Sequence, residues 1–239
     1  MNAEIGLEPQ ARPRARAKKL GPLAVAAAFV IGKLKWAFAI FKLVKLATLF
    51  SMLLAVGVYG ALWGLPFAVG FVALLLVHEM GHAVAMRQQG IPASAPVFIP
   101  FVGAVIAMRG MPRNAWVEAI VGIGGPVLGT IGAAACLVIA FVTRSQFWFA
   151  LASTGFMLNL FNMIPISPLD GGRVVGVVSR WLWAVGFAVG IGVFFVTRSP
   201  LLLIILILGA LQLWRSFKAP RTTYYDVPAV QRVTMGAAY

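Results

Sequence analysis

Apolar residues run along this chain in blocks of about 20, the length a helix needs to cross a bilayer core, and not in the alternating pattern of half-buried strands. The blocks fall at Ala47–Gly64, Phe67–Met86, Ala115–Val142, Phe147–Ile166, Val174–Val196 and Leu201–Trp214. The pattern predicts an all-α polytopic membrane protein with about six transmembrane helices, the core spanning residues 47–214. Between the second and third blocks, Gly90–Arg113 breaks the pattern with Pro92, Pro96 and Pro100, which oppose a spanning helix. The β-prone run Val102-Gly103-Ala104-Val105-Ile106-Ala107 within it predicts a short β hairpin or re-entrant segment on the cytoplasmic side. A free strand edge there would suit an extended peptide.

Polar punctuation organises the remainder. Residues 1–21 form a basic arm carrying Arg12, Arg14, Arg16, Lys18 and Lys19. Residues 22–46 are apolar but interrupted by Lys33, Lys35, Lys42 and Lys45, more cations than a span holds at depth, so an amphipathic segment on the membrane surface is expected. Residues 215–239 form a basic tail. With six spans and both termini inside, only Arg144 and Arg198 fall on the outer side, the asymmetry that membrane insertion favours. This places both termini toward the cytoplasm.

Composition agrees. Hydrophobic residues make up 61% of the chain and charged residues 11%, against about 25% in soluble domains. The net charge of +14 does not point to nucleic acid, because the basic residues are scattered between apolar blocks and not gathered on one polar face. Anionic lipid headgroups are the better partner. A lone cysteine, Cys136, excludes an intrachain disulfide and a Cys-based metal cluster.

One polar constellation lies inside the second block. His78, Glu79 and His82 form a His-Glu-x-x-His pattern, and the chain has no other histidine. Residues four apart on a helix lie on nearly one side, separated by roughly 6 Å along the axis, so both imidazoles can reach one metal ion. Glu79 beside the first ligand is placed to take a proton from an attacking water. A catalytic zinc usually has three protein ligands, so a carboxylate is needed as the third. Of six acidic residues, Glu4, Glu8 and Asp226 sit in the terminal tails and Glu79 already has a role. Glu118 and Asp170 remain. Asp170 lies in a Pro- and Gly-shaped interruption, Pro165 to Arg173; Glu118 is the reserve, with an ordinary reading as an acid favourable to a helix N-terminus.

Asn159 and Asn162 share one helical face in the fourth block. They are read either as interhelical hydrogen-bonding groups or as substrate-binding residues that steady a carbonyl or oxyanion. Asn162, nearer the interruption, ranks ahead of Asn159.

The two segments His78-Glu79-x-x-His82 and Asn162-x-x-Pro165-x-x-Pro168-Leu169-Asp170-Gly171-Gly172 together resemble the site-2 protease family of intramembrane zinc metalloproteases. The resemblance covers about Gly70 to Gly176. It implies one zinc per chain bound by His78, His82 and Asp170, Glu79 as the base, and cleavage of a membrane protein or peptide in or next to a transmembrane segment. A compact form is expected, without the PDZ or CBS modules of some members. The alternative is a metal-binding membrane carrier or non-proteolytic scaffold, which has no need of Glu79 beside a ligand.

Overall fold

Helix α2, Leu65–Gln88, runs through the middle of the structure and carries the His-Glu-x-x-His residues on its buried side. Pro66 in its first turn suits a helix start, where the missing N–H has no partner to lose. The computed structural model describes residues 46–218 and 223–239. The expected basic arm at 1–21 and, apart from Leu46, the surface segment at 22–46 lie outside the described residues.

The element order is α1 (Leu46–Trp63), α2, strands β1 (Val97–Ile99) and β2 (Gly103–Val105), then α3 (Ala115–Thr143) and α4 (Gln146–Asn162), then α5 (Asp170–Val178), α6 (Arg180–Thr197) and α7 (Pro200–Lys218), a 3-10 turn (Thr223–Tyr225) and α8 (Ala229–Ala238). Among the described residues, α1, α2, α3 and α7 are long and apolar enough to cross a membrane, and Trp181–Thr197 of α6 is a shorter apolar helix. The chain is a multi-pass membrane protein. Helix α4 has 17 residues, about 25 Å at 1.5 Å per residue, somewhat short of a bilayer core of about 30 Å.

Two boundaries differ from the hydropathy reading. The block Phe147–Ile166 leaves the helix at Asn162, since Pro165 and Pro168 cannot continue it. The block Val174–Val196 is two helices, parted at Ser179, whose backbone is extended and whose Oγ accepts from the Trp181 N–H at 3.2 Å. Hydropathy passes over such a break because apolar runs lie on both sides of the two polar residues Ser179 and Arg180. Trp183 Nε1–H then donates to the Gly172 carbonyl at 2.6 Å, tying α6 back to α5.

The expected hairpin is present. β1 and β2 pair antiparallel, with Val97 opposite Val105 and Ile99 opposite Gly103. Its seat is made by α1 and α2: Phe98 is buried in a cluster with Ala55, Tyr59, Val72 and Leu75. The Tyr59 hydroxyl oxygen accepts from the Phe101 N–H at 2.7 Å, and Ser51 Oγ from the Phe98 N–H at 3.2 Å. Helix α1 thus fixes the hairpin beside α2.

Lipid tails are as apolar as helix surfaces, so spans associate through close packing of small residues. At the crossing of α2 and α3, a Cβ on Gly124 would lie 2.7 Å from the Gly81 carbonyl oxygen and 2.8 Å from Ala85 Cβ. The basic tail is folded over residues 223–238. Val227 and Met235 are buried with Ala115, Ala119, Val174 and Val177, laying α8 against α5 and α3. Arg232 closes this segment on itself through the Val227 and Tyr225 carbonyls, and Tyr239 O–H donates to the Met163 carbonyl.

Candidate metal centre

The helical period of α2 turns His78, Glu79 and His82 into the bundle, where each is at most 5% exposed. The ligand-capable atoms of these three lie within 4.8 Å of one another. Asp170, the first residue of α5, joins them from the other side. Its Oδ2 stands 3.1 Å from His78 Nε2 and 3.2 Å from His82 Nε2, and the two Nε2 atoms are 3.2 Å apart.

Each ring is held from behind. His78 Nδ1 is 2.8 Å from Asn159 Oδ1, and His82 Nδ1 is 2.7 Å from the Val121 carbonyl oxygen. Both partners are acceptors, so each Nδ1 carries a proton, and in the neutral ring that can ligate a metal each Nε2 presents a lone pair. With both rings neutral, two imidazole lone pairs and a carboxylate oxygen converge at 3.1–3.2 Å, an all-acceptor set suited to a cation among the three atoms. Tetrahedral zinc with bonds of about 2.0–2.2 Å spaces its ligand atoms about 3.3–3.6 Å apart, so the set fits zinc after a shift of a few tenths of an ångström. Three protein ligands leave a fourth position open for water or substrate.

The local sequence explains why Asp170 arrives here. Pro165 and Pro168 turn the chain after α4, and Gly172 lets it fold tightly, since a Cβ there would lie 2.6 Å from the Ile166 carbonyl carbon. Across from the ligands, α3 offers Gly125. A Cβ at Gly125 would fall 2.8 Å from His78 Nε2 and nearer still to His82 Nε2. Glu79 is 5% exposed, and the Ile106 backbone amide just past β2 faces its carboxylate.

Of the residues singled out from sequence, the structure brings together His78, Glu79, His82, Asp170 and Asn159. Asn159 touches His78 through its side-chain oxygen. Asn162 is partly buried and turns its amide to the Leu158 carbonyl of its own helix at 3.1 Å. Glu118 lies apart from the histidines and accepts from Tyr224 O–H at 2.6 Å. From the sequence alone the region of Gly125 and Gly129 carries no assigned chemistry and the Val121 carbonyl no role. The spacing of Gly125 and Gly129, small residues four apart in an apolar block, was the available signal for a helix-contact face.

A zinc metalloprotease of Methanocaldococcus jannaschii is 29% identical over 165 residues, covering 63% of this chain and 44% of its own. The Mycobacterium tuberculosis protein Rip3 is 33% identical over 126 residues, 48% of this chain and 30% of its own. The chain thus spans less than half the length of these curated relatives. The solved site-2 protease from Methanocaldococcus jannaschii superposes with a TM-score of 0.45 at 18% identity, covering 73% of this chain and 90% of that one. The sequence pattern of Peptidase family M50 matches residues 66–146 and 139–197. That match takes in more than half of the chain, including the helices that carry both histidines, Glu79 and Asp170, and the chain belongs to Peptidase family M50.

Proposed function

We propose that this protein is an intramembrane zinc metalloendopeptidase that hydrolyses peptide bonds in or next to transmembrane segments of membrane protein substrates. The observation that carries the reading is the convergence of His78 Nε2, His82 Nε2 and Asp170 Oδ2 within 3.1–3.2 Å, buried between helices, with Glu79 beside them. These three side chains hold one zinc per chain. The ion, when bound, supplies Lewis acidity toward water and the scissile carbonyl. Glu79 takes the proton of the attacking water and delivers it to the leaving amine. Asn162, one turn before Pro165, is the side chain left to steady a substrate carbonyl. The excess of basic residues on one side of the spans favours an active site and termini toward the cytoplasm.

A carrier would use the same ligands without needing a carboxylate next to His78, and Glu79 favours hydrolysis over transport. Detergent-purified wild-type protein and Glu79→Gln are to be incubated with a panel of transmembrane peptides, and bound zinc measured in both. Cleavage by the wild type, lost in Glu79→Gln with zinc retained, is the expected result. Zinc bound by a wild type that cleaves nothing while liposomes show metal flux would replace the protease reading with the carrier.

A further inference from the structure

Asn159 is an amide buried between helices at 4% exposure, and both of its polar ends are occupied. Its Nδ2 donates to the Gly155 carbonyl at 2.7 Å, and its Oδ1 faces His78 Nδ1 at 2.8 Å. The first contact decides the second. A carbonyl can only accept, so the NH2 end must face Gly155 and the oxygen must face the imidazole. Oxygen at that position requires a proton on His78 Nδ1, and in the neutral ring that leaves the lone pair on Nε2, toward His82 and Asp170. Each polar end of Asn159 thus has a protein partner.

Helix α3 is shaped around this amide. A Cβ at Gly129 would come within 2.9 Å of both Asn159 Cγ and Nδ2. The Asn159 side chain thus sits in a gap between α2 and α3 that only glycine leaves open. His82 receives the same service from a backbone carbonyl, that of Val121, which no side-chain substitution removes. His78 depends on a side chain.

We infer that Asn159 is a positioning residue for the metal centre: it fixes the ring orientation and tautomer of His78 so that Nε2 is presented to the ion. The inference rests on the zinc reading proposed above and replaces the substrate contact expected of Asn159 from sequence. Partners of this kind behind metal-ligating histidines typically change metal affinity about 10- to 100-fold when removed. A buried asparagine serving only as interhelical glue would instead change stability and leave the affinity of folded protein alone.

The chain's two histidines make the test direct, because selective 15N-histidine labelling reports on two rings only. Full-length wild type, Asn159→Ala and Asn159→Asp are compared in detergent by the Nδ1–H resonances and by zinc competition against a chelator. Two protected Nδ1–H signals are expected in wild type. Asn159→Ala should lose the His78 signal, keep the His82 signal as an internal report of intact fold, and bind zinc about 10- to 100-fold more weakly. Asn159→Asp, which keeps an acceptor toward His78, should recover most of that affinity. Zinc affinity within about threefold of wild type in a folded alanine variant would overturn the inference, given the size of effect such partners have. So would a folded aspartate variant as weak as the alanine one. Should the alanine chain lose both signals, the aspartate arm decides alone. A wild type that takes up no zinc removes the metal reading itself, and the wild-type arm shows that separately.

Discussion

Asp170 and Glu118 are two carboxylates in similar local settings with different fates. Each sits in the first turn of a helix, α5 and α3 respectively, and each follows an irregular stretch of chain. Asp170 faces the two imidazoles of α2, whereas Glu118 faces the phenol of Tyr224 in the C-terminal segment. What separates them is the element that crosses in front. α5 begins where the turn after α4 delivers it to α2, and α3 begins beside the folded tail. A helix N-terminus favours either acid by a comparable amount, so local position does not choose a ligand.

The largest effect that would sharpen the contrast is on metal binding. Asp170→Ala should weaken zinc binding by more than about 100-fold, since loss of a direct ligand exceeds the loss of a partner behind one, and should abolish peptide cleavage. Glu118→Ala should leave zinc affinity within about threefold of wild type, as expected for a group outside the ligand set and its supports. Equal losses in the two variants, measured by chelator competition, would erase the distinction.

Gly125→Ala is expected next in size. The added methyl meets both Nε2 atoms, so α3 must shift away from α2 or the rings must turn. Zinc affinity should fall by about tenfold or more, the scale seen when ligand orientation is disturbed, with the helical circular dichroism retained. Unchanged affinity would mean that α3 does not wall the site.

The smallest effect belongs to the Glu118 side. Tyr224→Phe removes one hydrogen bond to a carboxylate and should lower stability by about 1–2 kcal/mol in thermal unfolding, without altering zinc affinity. Burial, then the hydrogen bond to Glu118 and its charge, raise the Tyr224 phenol above its ordinary value. The folded chain therefore keeps this proton to higher pH than the unfolded chain, where tyrosine titrates near about pH 10. Its contribution is complete below about pH 10 and is lost as pH rises toward the folded value, so the gap between wild type and Tyr224→Phe should narrow at alkaline pH. A gap that widens there would contradict this assignment.

Much of the site was legible in the chain. His78 and His82 four apart with Glu79 between them require only a helix to share a face, and the scarcity of acids narrowed the third ligand to Asp170 or Glu118. The hairpin was legible from prolines beside β-prone residues. The division of α5 from α6 at Ser179 was not, because hydropathy averages over a single extended residue. Nor was the tail's packing, since Val227 and Met235 stand among other apolar residues such as Val230 and Val233, which are exposed, and only the contact with Val174 and Val177 sets them apart.

By itself the sequence determined the class, a multi-pass helical membrane protein, and the inventory of groups able to bind a metal, because these follow from the length of apolar blocks and from how few polar residues an apolar chain carries. Only the tertiary structure decided that Asp170 and not Glu118 meets the histidines, that the Asn159 side-chain oxygen faces His78, and that Gly125 clears the space before them. Those outcomes depend on which helices cross and at what distance. Between spans that distance is set by the smallest residues at the contact, a property of pairs of helices that no single segment contains.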